Sequence, residues 1–347
     1  MNILGIETSC DETAAGVVID GTKLRSNVIS SQAAVHAQYG GIVPEVASRQ
    51  HIGAILPVIK AGLSDAAMDW ADIDAIAVTH GPGLAGSLIV GANAAKGLSA
   101  SLGVPILGVN HLEGHIRAAW LAEDNADLGE NPAFPLLCLL VSGGHTELIA
   151  MHGATDYELL GATRDDAAGE AFDKCARILG LTYPGGPEIS RVAKAANPGS
   201  GTKPLPRAWI RGTHEFSFSG IKTALLHRAR EAGITDENGP EYYPGEVANL
   251  AHELQESIVD VLTRKAVAAA DEVGANAIIL GGGVAANARL REVLRERSRV
   301  PVFIPPPILC TDNGAMIAAA AYPRLARGEA STLDFDIDPS LDLGLDT

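Results

Sequence analysis

Apolar and polar positions change period along this chain in short blocks. "NILGIETS" (2–9) and "AAGVVIDG" (14–21) are apolar runs of strand length around the polar turn "CDET", which predicts a β-hairpin. Residues 44–63 read as helix, and "AGSLIVGANAAKGLSASLG" (85–103) as a helix with small residues at helical spacing. "DAIAVTHGPG" (74–83) and "VPILGVN" (104–110) read as strands, so residues 1–118 alternate strand and helix in the manner of an α/β lobe. "FPLLCLLVSGGHTELIAM" (134–151) then repeats the opening theme: apolar strand, short turn with Ser and Thr, apolar strand. The repeat is one of structure rather than of letters. It predicts two lobes, each opening with a hairpin whose turn faces a shared cleft.

Composition sharpens this picture. A chain of 347 residues can bury two cores. Its 38 glycines and 47% apolar content suit a close-packed α/β protein with tight strand-to-helix turns. The longest apolar run, 134–141, is far short of the ~20 residues that span a bilayer. No basic segment followed by an apolar run opens the chain, so the expectation is a cytoplasmic protein without membrane association. Cys10, Cys138, Cys175 and Cys310 are widely spaced, which fits a reducing compartment. A net charge of −16 argues against a free-standing nucleic-acid binder. The charge is uneven, however. Lys203, Arg207, Arg211, Lys222, Arg228 and Arg230 stand against Glu215 alone, a candidate contact for a polyanion. The arginine-rich stretch 288–299 reads as a solvated amphipathic helix.

Candidate chemistry begins at "GVNHLEGHIRAAW" (108–120). Asn110 followed by Glu113 fits a helix start, which puts His111 and His115 on one face, able to grip one ion. In the zinc-protease motif H-E-x-x-H the base directly follows the first histidine; here that position is Leu112. Spacing alone leaves a metal pair and a pair of core or surface histidines equally open. The turn Ser142-Gly143-Gly144 can cradle anionic oxygens, and a third glycine turn (281–283) leads into a helix with Asn287 in its first turn. Asp165, Asp166, Glu170 and Asp173 crowd another helix start, either for the helix dipole or to accept ribose hydroxyls. Asp312 either caps an alanine-rich helix or completes a two-nitrogen, one-oxygen metal site. Asp11 and Glu12, on the first hairpin turn, are candidate general bases or turn carboxylates bonding their own backbone.

The motifs "GIETSCDETAAGVV", "THGPGL", "VNHLEGHI", "LVSGGHTEL", "DDAAGEAFDK", "YPGGP", "FSFSGIKTA", "GGGVAAN" and "CTDNGAMIA" occur in an order that resembles the bacterial TsaD family, the tRNA N6-adenosine threonylcarbamoyltransferases once described as O-sialoglycoprotein endopeptidases. The resemblance implies the two-lobed α/β fold shared by actin, sugar kinases and Hsp70-type ATPases (the ASKHA fold), with duplicated mixed-sheet lobes around a central cleft. Lobe I is expected over 1–118 plus 315–347 and lobe II over 119–314. The implied reaction moves a threonylcarbamoyl group from threonylcarbamoyl-AMP to the N6 amine of adenosine 37, in the anticodon loop of ANN-decoding tRNA, releasing AMP. Carried over by motif, His111, His115 and Asp312 look like ligands of one divalent metal ion, Fe(2+) favoured and Zn(2+) the alternative. Leu140, Val141, Ser142, Gly143, Gly144, Asp173, Gly186 and Asn287 look like substrate-binding positions. Where the family often has a carboxylate four residues after the second glycine of "YPGG", this chain has Ser190. Implied partners are a TsaB-like paralogue, a TsaE-like ATPase and a TsaC-like enzyme that makes the intermediate. Helices near 36–60 and 85–102 are the expected pairing surface. The competing readings are a small-molecule kinase or ATPase of the same fold, a metalloprotease, and a non-catalytic scaffold.

Overall fold

A computed structural model describes residues 1–129, 132–197, 199, 201–235 and 238–343. The first sheet comprises β1 (Asn2–Glu7), β2 (Glu12–Ile19), β3 (Lys23–Ser31), β4 (Ala75–Gly81) and β5 (Ile106–Asn110). With it come α1 (Ala33–His36), α2 (Pro44–Asp65), α3 (Ala85–Leu102) and α4 (His111–Arg117). The second sheet comprises β6 (Leu136–Val141), β7 (Thr146–Gly153), β8 (Asp156–Ala162), β9 (Ile278–Gly281) and β10 (Val302–Phe303). Its helices are α5 (Ala168–Ile178), α6 (Gly185–Ala193), α7 (Ser219–Glu231), α8 (Gly239–Tyr242), α9 (Pro244–Val273) and α10 (Ala288–Arg297). The chain then adds α11 (Pro307–Cys310) and α12 (Gly314–Leu325).

The expected duplication is present in the topology. The strand order is β3-β2-β1-β4-β5 in one sheet and β8-β7-β6-β9-β10 in the other. In each, the opening strand pairs antiparallel with the next and parallel with the fourth: β1 with β2 and β4, β6 with β7 and β9. The outer strands β3, β8 and β10 escaped the sequence reading. Lys23–Ser31 shows why: it is an edge strand whose sequence carries no clean apolar alternation.

Two compact units divide the chain: Met1–Ala133 with His152–Glu158 and Phe303–Thr347, and Phe134–Met151 with Leu159–Val302. Residues 119–133 and 303–314, expected with lobe II, therefore group with the first unit. The reason is a shared core, in which Ala118, Leu121 and Leu309 pack with Ala315–Ala321 and Leu325. Period-2 alternation splits the first sheet's two faces. Ile3 and Val18 pack with α12, while Leu4, Ile6, Ala15 and Val17 pack with Ile55 and Ile59 of α2 and Ala95 of α3. The start of α12 lies directly on the hairpin, because a Cβ at Gly5 would collide with the Gly314 carbonyl oxygen and one at Gly314 with the Ala15–Gly16 backbone. That close approach fixes where the residue two before Gly314, Asp312, can stand. Among the described residues, no helix is long and apolar enough to cross a membrane.

Candidate functional site

The first unit assembles a nitrogen–oxygen cluster. Asn110 ends β5 and its Oδ1 accepts from the Leu112 N–H at 2.9 Å, so α4 starts where the sequence predicts. His111 and His115 then stand side by side, ring centroids 4.7 Å apart and nearly perpendicular. Asp312 is not the cap of α12. Asn313 is, its Oδ1 accepting from the Met316 N–H at 2.9 Å. Relieved of that role, Asp312 puts Oδ1 3.2 Å from His115 Nε2 and 3.5 Å from His111 Nε2. One ligand atom from each of the three residues lies within 4.8 Å of the others.

Two observations bear on what this cluster can hold. His111 Nδ1 is engaged by Glu7 Oε2 at 3.0 Å and Ser9 Oγ at 3.1 Å, which places the proton on Nδ1 and turns Nε2 toward Asp312. His115 is buried, and neither of its nitrogens makes a hydrogen bond; the approach to Asp312 is close but not aligned for one. A buried imidazole that makes no hydrogen bond is costly unless a cation takes up its free nitrogen. Two imidazole nitrogens and a carboxylate oxygen are a donor set that a divalent transition metal accepts.

The electrostatics agree. Burial disfavours a charged His111, yet the Asp312 and Glu7 carboxylates outweigh it and push the imidazole up to about 9. Burial would raise the Glu7 carboxyl, but His111 beside it holds it below the ordinary value. The site thus competes a proton against whatever cation it binds. Glu113 takes no part: its carboxylate pairs with the Arg324 guanidinium and accepts from the Tyr157 hydroxyl at 3.3 Å. The protease reading loses its base in space as well as in sequence.

Asp11 lies in the β1–β2 turn and Glu12 opens β2. The Ser31 hydroxyl donates to Glu12 Oε1 at 3.0 Å. Burial, then the charges of Asp312 and Asp11, push the Glu12 carboxyl up to about 9. The turn is anchored by His51, which bonds the Thr13 hydroxyl at 2.8 Å and the Cys10 carbonyl at 2.9 Å.

The second unit gathers the predicted substrate positions. The β6–β7 turn is closed by Ser142, whose N–H donates to the His145 carbonyl at 2.8 Å and whose Oγ accepts from the His145 N–H at 3.0 Å. A Cβ at Gly143, Gly144 or Gly186 would meet nothing within 4 Å, so these backbones are open to an approaching group. Leu140 and Val141 are buried at the end of β6, where Leu140 pairs with both β7 and β9. The N-terminus of α5 abuts the turn, with the Gly169 N–H donating to the Ser142 carbonyl at 3.1 Å, and the positive end of a helix favours an anion there. Asp173 accepts from the Gly185 N–H at 2.6 Å; burial raises its carboxyl against the pull of the Gly185 and Gly186 N–H groups.

Asn287 caps α10 through Oδ1, which accepts from the Leu290 N–H, while Nδ2 donates to Ser190 Oγ at 2.9 Å and Gln255 Oε1 at 3.1 Å. The Ser190 hydroxyl donates to the same Gln255 oxygen at 2.9 Å. Ser190, standing where the family often has a carboxylate, is thus bound into a neutral triad. The other acidic residues of the helix start do structural work. Asp165 accepts from the Phe218 and Ser219 N–H groups, and Asp166 and Glu170 pair with Lys174.

Sequence reasoning missed Glu7 and Gln255. Glu7 had one faint signal, a lone carboxylate ending an apolar strand. Gln255 had none, since a glutamine in a long amphipathic helix is unremarkable by pattern.

Comparison with known proteins places this geometry. The sequence pattern of the TsaD family, described as tRNA N6-adenosine threonylcarbamoyltransferase, matches residues 23–319. Relatives bearing that description include proteins of Thermomicrobium roseum, 54% identical over 99% of this chain and 97% of the relative, and of Dehalococcoides mccartyi, 54% identical over 98% and 99%. A Symbiobacterium thermophilum relative is 49% identical over 99% and 97%. Among solved structures, component A of (R)-2-hydroxyglutaryl-CoA dehydratase from Acidaminococcus fermentans superposes with a TM-score of 0.53 at 16% identity, covering 94% of this chain and 99% of its own. HypF from T. kodakarensis does so with a TM-score of 0.56 at 16% identity, covering 93% of this chain and 47% of its own. At that identity these two establish the fold alone, the α/β fold shared with actin, sugar kinases and Hsp70-type ATPases.

Proposed function

The chain belongs to the TsaD family of tRNA N6-adenosine threonylcarbamoyltransferases, and on that premise we propose how its residues divide the work. The chain is a transferase that modifies a tRNA adenosine. The reaction forms one bond and breaks one. The N6 amine of adenosine 37 attacks the carbonyl carbon of threonylcarbamoyl-AMP, the C–O bond to phosphate breaks, AMP leaves with the electron pair, and N6 sheds a proton. The amine is a weak nucleophile because its lone pair is delocalised into the ring. The donor is therefore an activated mixed anhydride, and the protein adds positioning and charge stabilisation.

The open backbone at Gly143 and Gly144, on a turn set by Leu140, Val141 and Ser142, holds the departing phosphate. Asp173, Gly186 and Asn287 hold the nucleoside. Asp11 or Glu12 receives the proton from N6. His111, His115 and Asp312 hold one divalent ion. We favour Fe(2+) over Zn(2+), because two histidines and one carboxylate with open positions are the donor set of non-haem iron sites. When bound, the ion supplies a Lewis acid for the threonylcarbamoyl end.

The observation that carries this reading is His115, buried beside Asp312 with both nitrogens unbonded. The test supplies the protein with unmodified ANN-decoding tRNA and threonylcarbamoyl-AMP, and follows AMP release and the modified nucleoside by mass spectrometry. Wild type should form both products. His115→Ala should lose both together with its metal, measured by elemental analysis. Unmodified tRNA after reaction with the metal-loaded wild type sinks the proposal.

Partners follow from the same reading. A TsaC-like enzyme supplies the adenylate, and a TsaE-like ATPase and a TsaB-like paralogue complete the system. The paralogue fits α2 and α3, which leave Ile52, Leu56 and Ile89 exposed on their outer faces. A tRNA substrate and four free cysteines suit the cytoplasm.

A further inference from the structure

The loop 203–213 has no regular secondary structure, yet it is held firmly along α9. Leu205 is buried. The Ser257 hydroxyl donates to the Pro206 carbonyl at 2.6 Å. Lys265, itself buried, donates to the carbonyls of Ile210 at 3.0 Å and Thr213 at 2.7 Å, with its ammonium 4.9 Å from the Trp209 ring centroid. A buried lysine spent on two loop carbonyls sets the loop's shape rather than leaving it to solvent.

The same stretch of α9 brings together the two basic segments of the sequence. Asp260 is met by Arg207 of the loop at 3.5 Å, Arg264 of α9 at 2.9 Å and Arg297 of α10 at 2.7 Å. Arg207 is therefore offset locally, contrary to the sequence reading, and α10 is not merely a solvated face. One carboxylate answers three guanidiniums, so positive charge remains. Lys203 and Arg211 add to it: both are exposed, and neither has an ion pair among the described residues. Between Lys203 and Arg211 in the sequence, Trp209 is 44% exposed.

We propose that the loop 203–213, with Arg264 of α9 and Arg297 of α10, is a docking surface for the tRNA substrate: Lys203, Arg211 and the arginines around Asp260 contact phosphates, and the Trp209 indole stacks on an unpaired base or ribose. The inference rests on tRNA being the substrate, and commits that reading to one surface. A chain of net charge −16 repels a polyanion elsewhere, so a local cationic surface has to capture it. An indole beside fixed cations is the pairing that single-stranded nucleic acid recognises. Lys265 under the ring is a positioning residue.

The test is fluorescence anisotropy of a labelled, unmodified tRNA transcript titrated with the full chain, from about 50 to 200 mM salt. Lys203→Ala combined with Arg211→Ala should weaken binding and flatten the log–log salt slope by about 1.4–1.8, the value for two lost phosphate contacts at roughly 0.7–0.9 each. Trp209→Leu, which keeps an apolar cover over Lys265, should weaken binding about fivefold or more and leave the slope unchanged, as loss of stacking does. Absence of tRNA binding by wild type at the low-salt end overturns the proposal. So does an unchanged affinity and slope in both variants. Transfer assayed in parallel keeps the two readings apart: failed transfer with the expected binding changes sinks the catalytic reading alone.

Discussion

Glu7→Gln is the sharpest probe of the metal cluster, because it changes one atom of a fully buried group. The Glu7 carboxylate takes hydrogen bonds on both oxygens: the Ser9 N–H on Oε1, and the Thr79 hydroxyl and His111 Nδ1 on Oε2. Glutamine offers one oxygen and one NH2. With the oxygen toward His111 and Thr79, the NH2 is forced against the Ser9 N–H, and a buried donor left unsatisfied costs about 1–3 kcal/mol. With the amide turned the other way, its NH2 donates to His111 Nδ1. The imidazole proton then moves to Nε2, the atom that faces Asp312. Either way the ligand is misoriented or its proton misplaced. Loss of an outer partner of a metal-bound histidine typically lowers affinity 10–100-fold, which is about 1.4–2.7 kcal/mol. Chelator competition with Zn(2+) as the probe measures that change, and urea denaturation in excess chelator measures the folding cost separately. A folded Glu7→Gln protein with zinc affinity within about twofold of wild type refutes the argument. Ser9 Oγ would then suffice to orient the ring.

Three further outcomes are expected. Asp312→Asn should abolish metal binding while leaving helix content by circular dichroism unchanged, because Asn313 caps α12; an apo-like loss of helix with retained metal would reverse the assignment. Gly144→Val should weaken binding of AMP in calorimetry and spare metal content, since its Cβ meets no protein atom and can obstruct only a ligand. Asp165→Ala should cost about 0.5–2 kcal/mol in urea denaturation, as loss of a helix cap does, by freeing the start of α7. Against the pull of burial, hydrogen bonds from Ser217, Phe218 and Ser219 hold the Asp165 carboxyl below 3.8, so this contribution is present above that pH and lost as pH falls through the lower folded value. Wild type and variant should converge in stability only in strong acid; a gap that stays constant into that range counts against the account.

The legible parts of this protein are local in the chain. The hairpins, the helices at 44–65 and 85–102, and the placement of His111 and His115 on one face behind an Asn110 cap all follow from period and capping, which act over a few residues. Family motifs added the ligand and substrate positions. What packing alone decided lies far apart in sequence or one residue off. Asp312 reads as a cap or a ligand on paper, and only the seating of Gly314 on the hairpin shows that its neighbour Asn313 caps while Asp312 faces the histidines. Glu113 reads as a helix-start carboxylate until Arg324, 211 residues later, claims it. Glu7 meets His111 across 104 residues, and Arg207 meets Arg297 only because both reach Asp260 on α9. Hydrophobic periodicity determines which faces turn inward. It does not determine which polar groups meet once those faces are buried, because that depends on the crossing of elements whose contacts no local rule encodes.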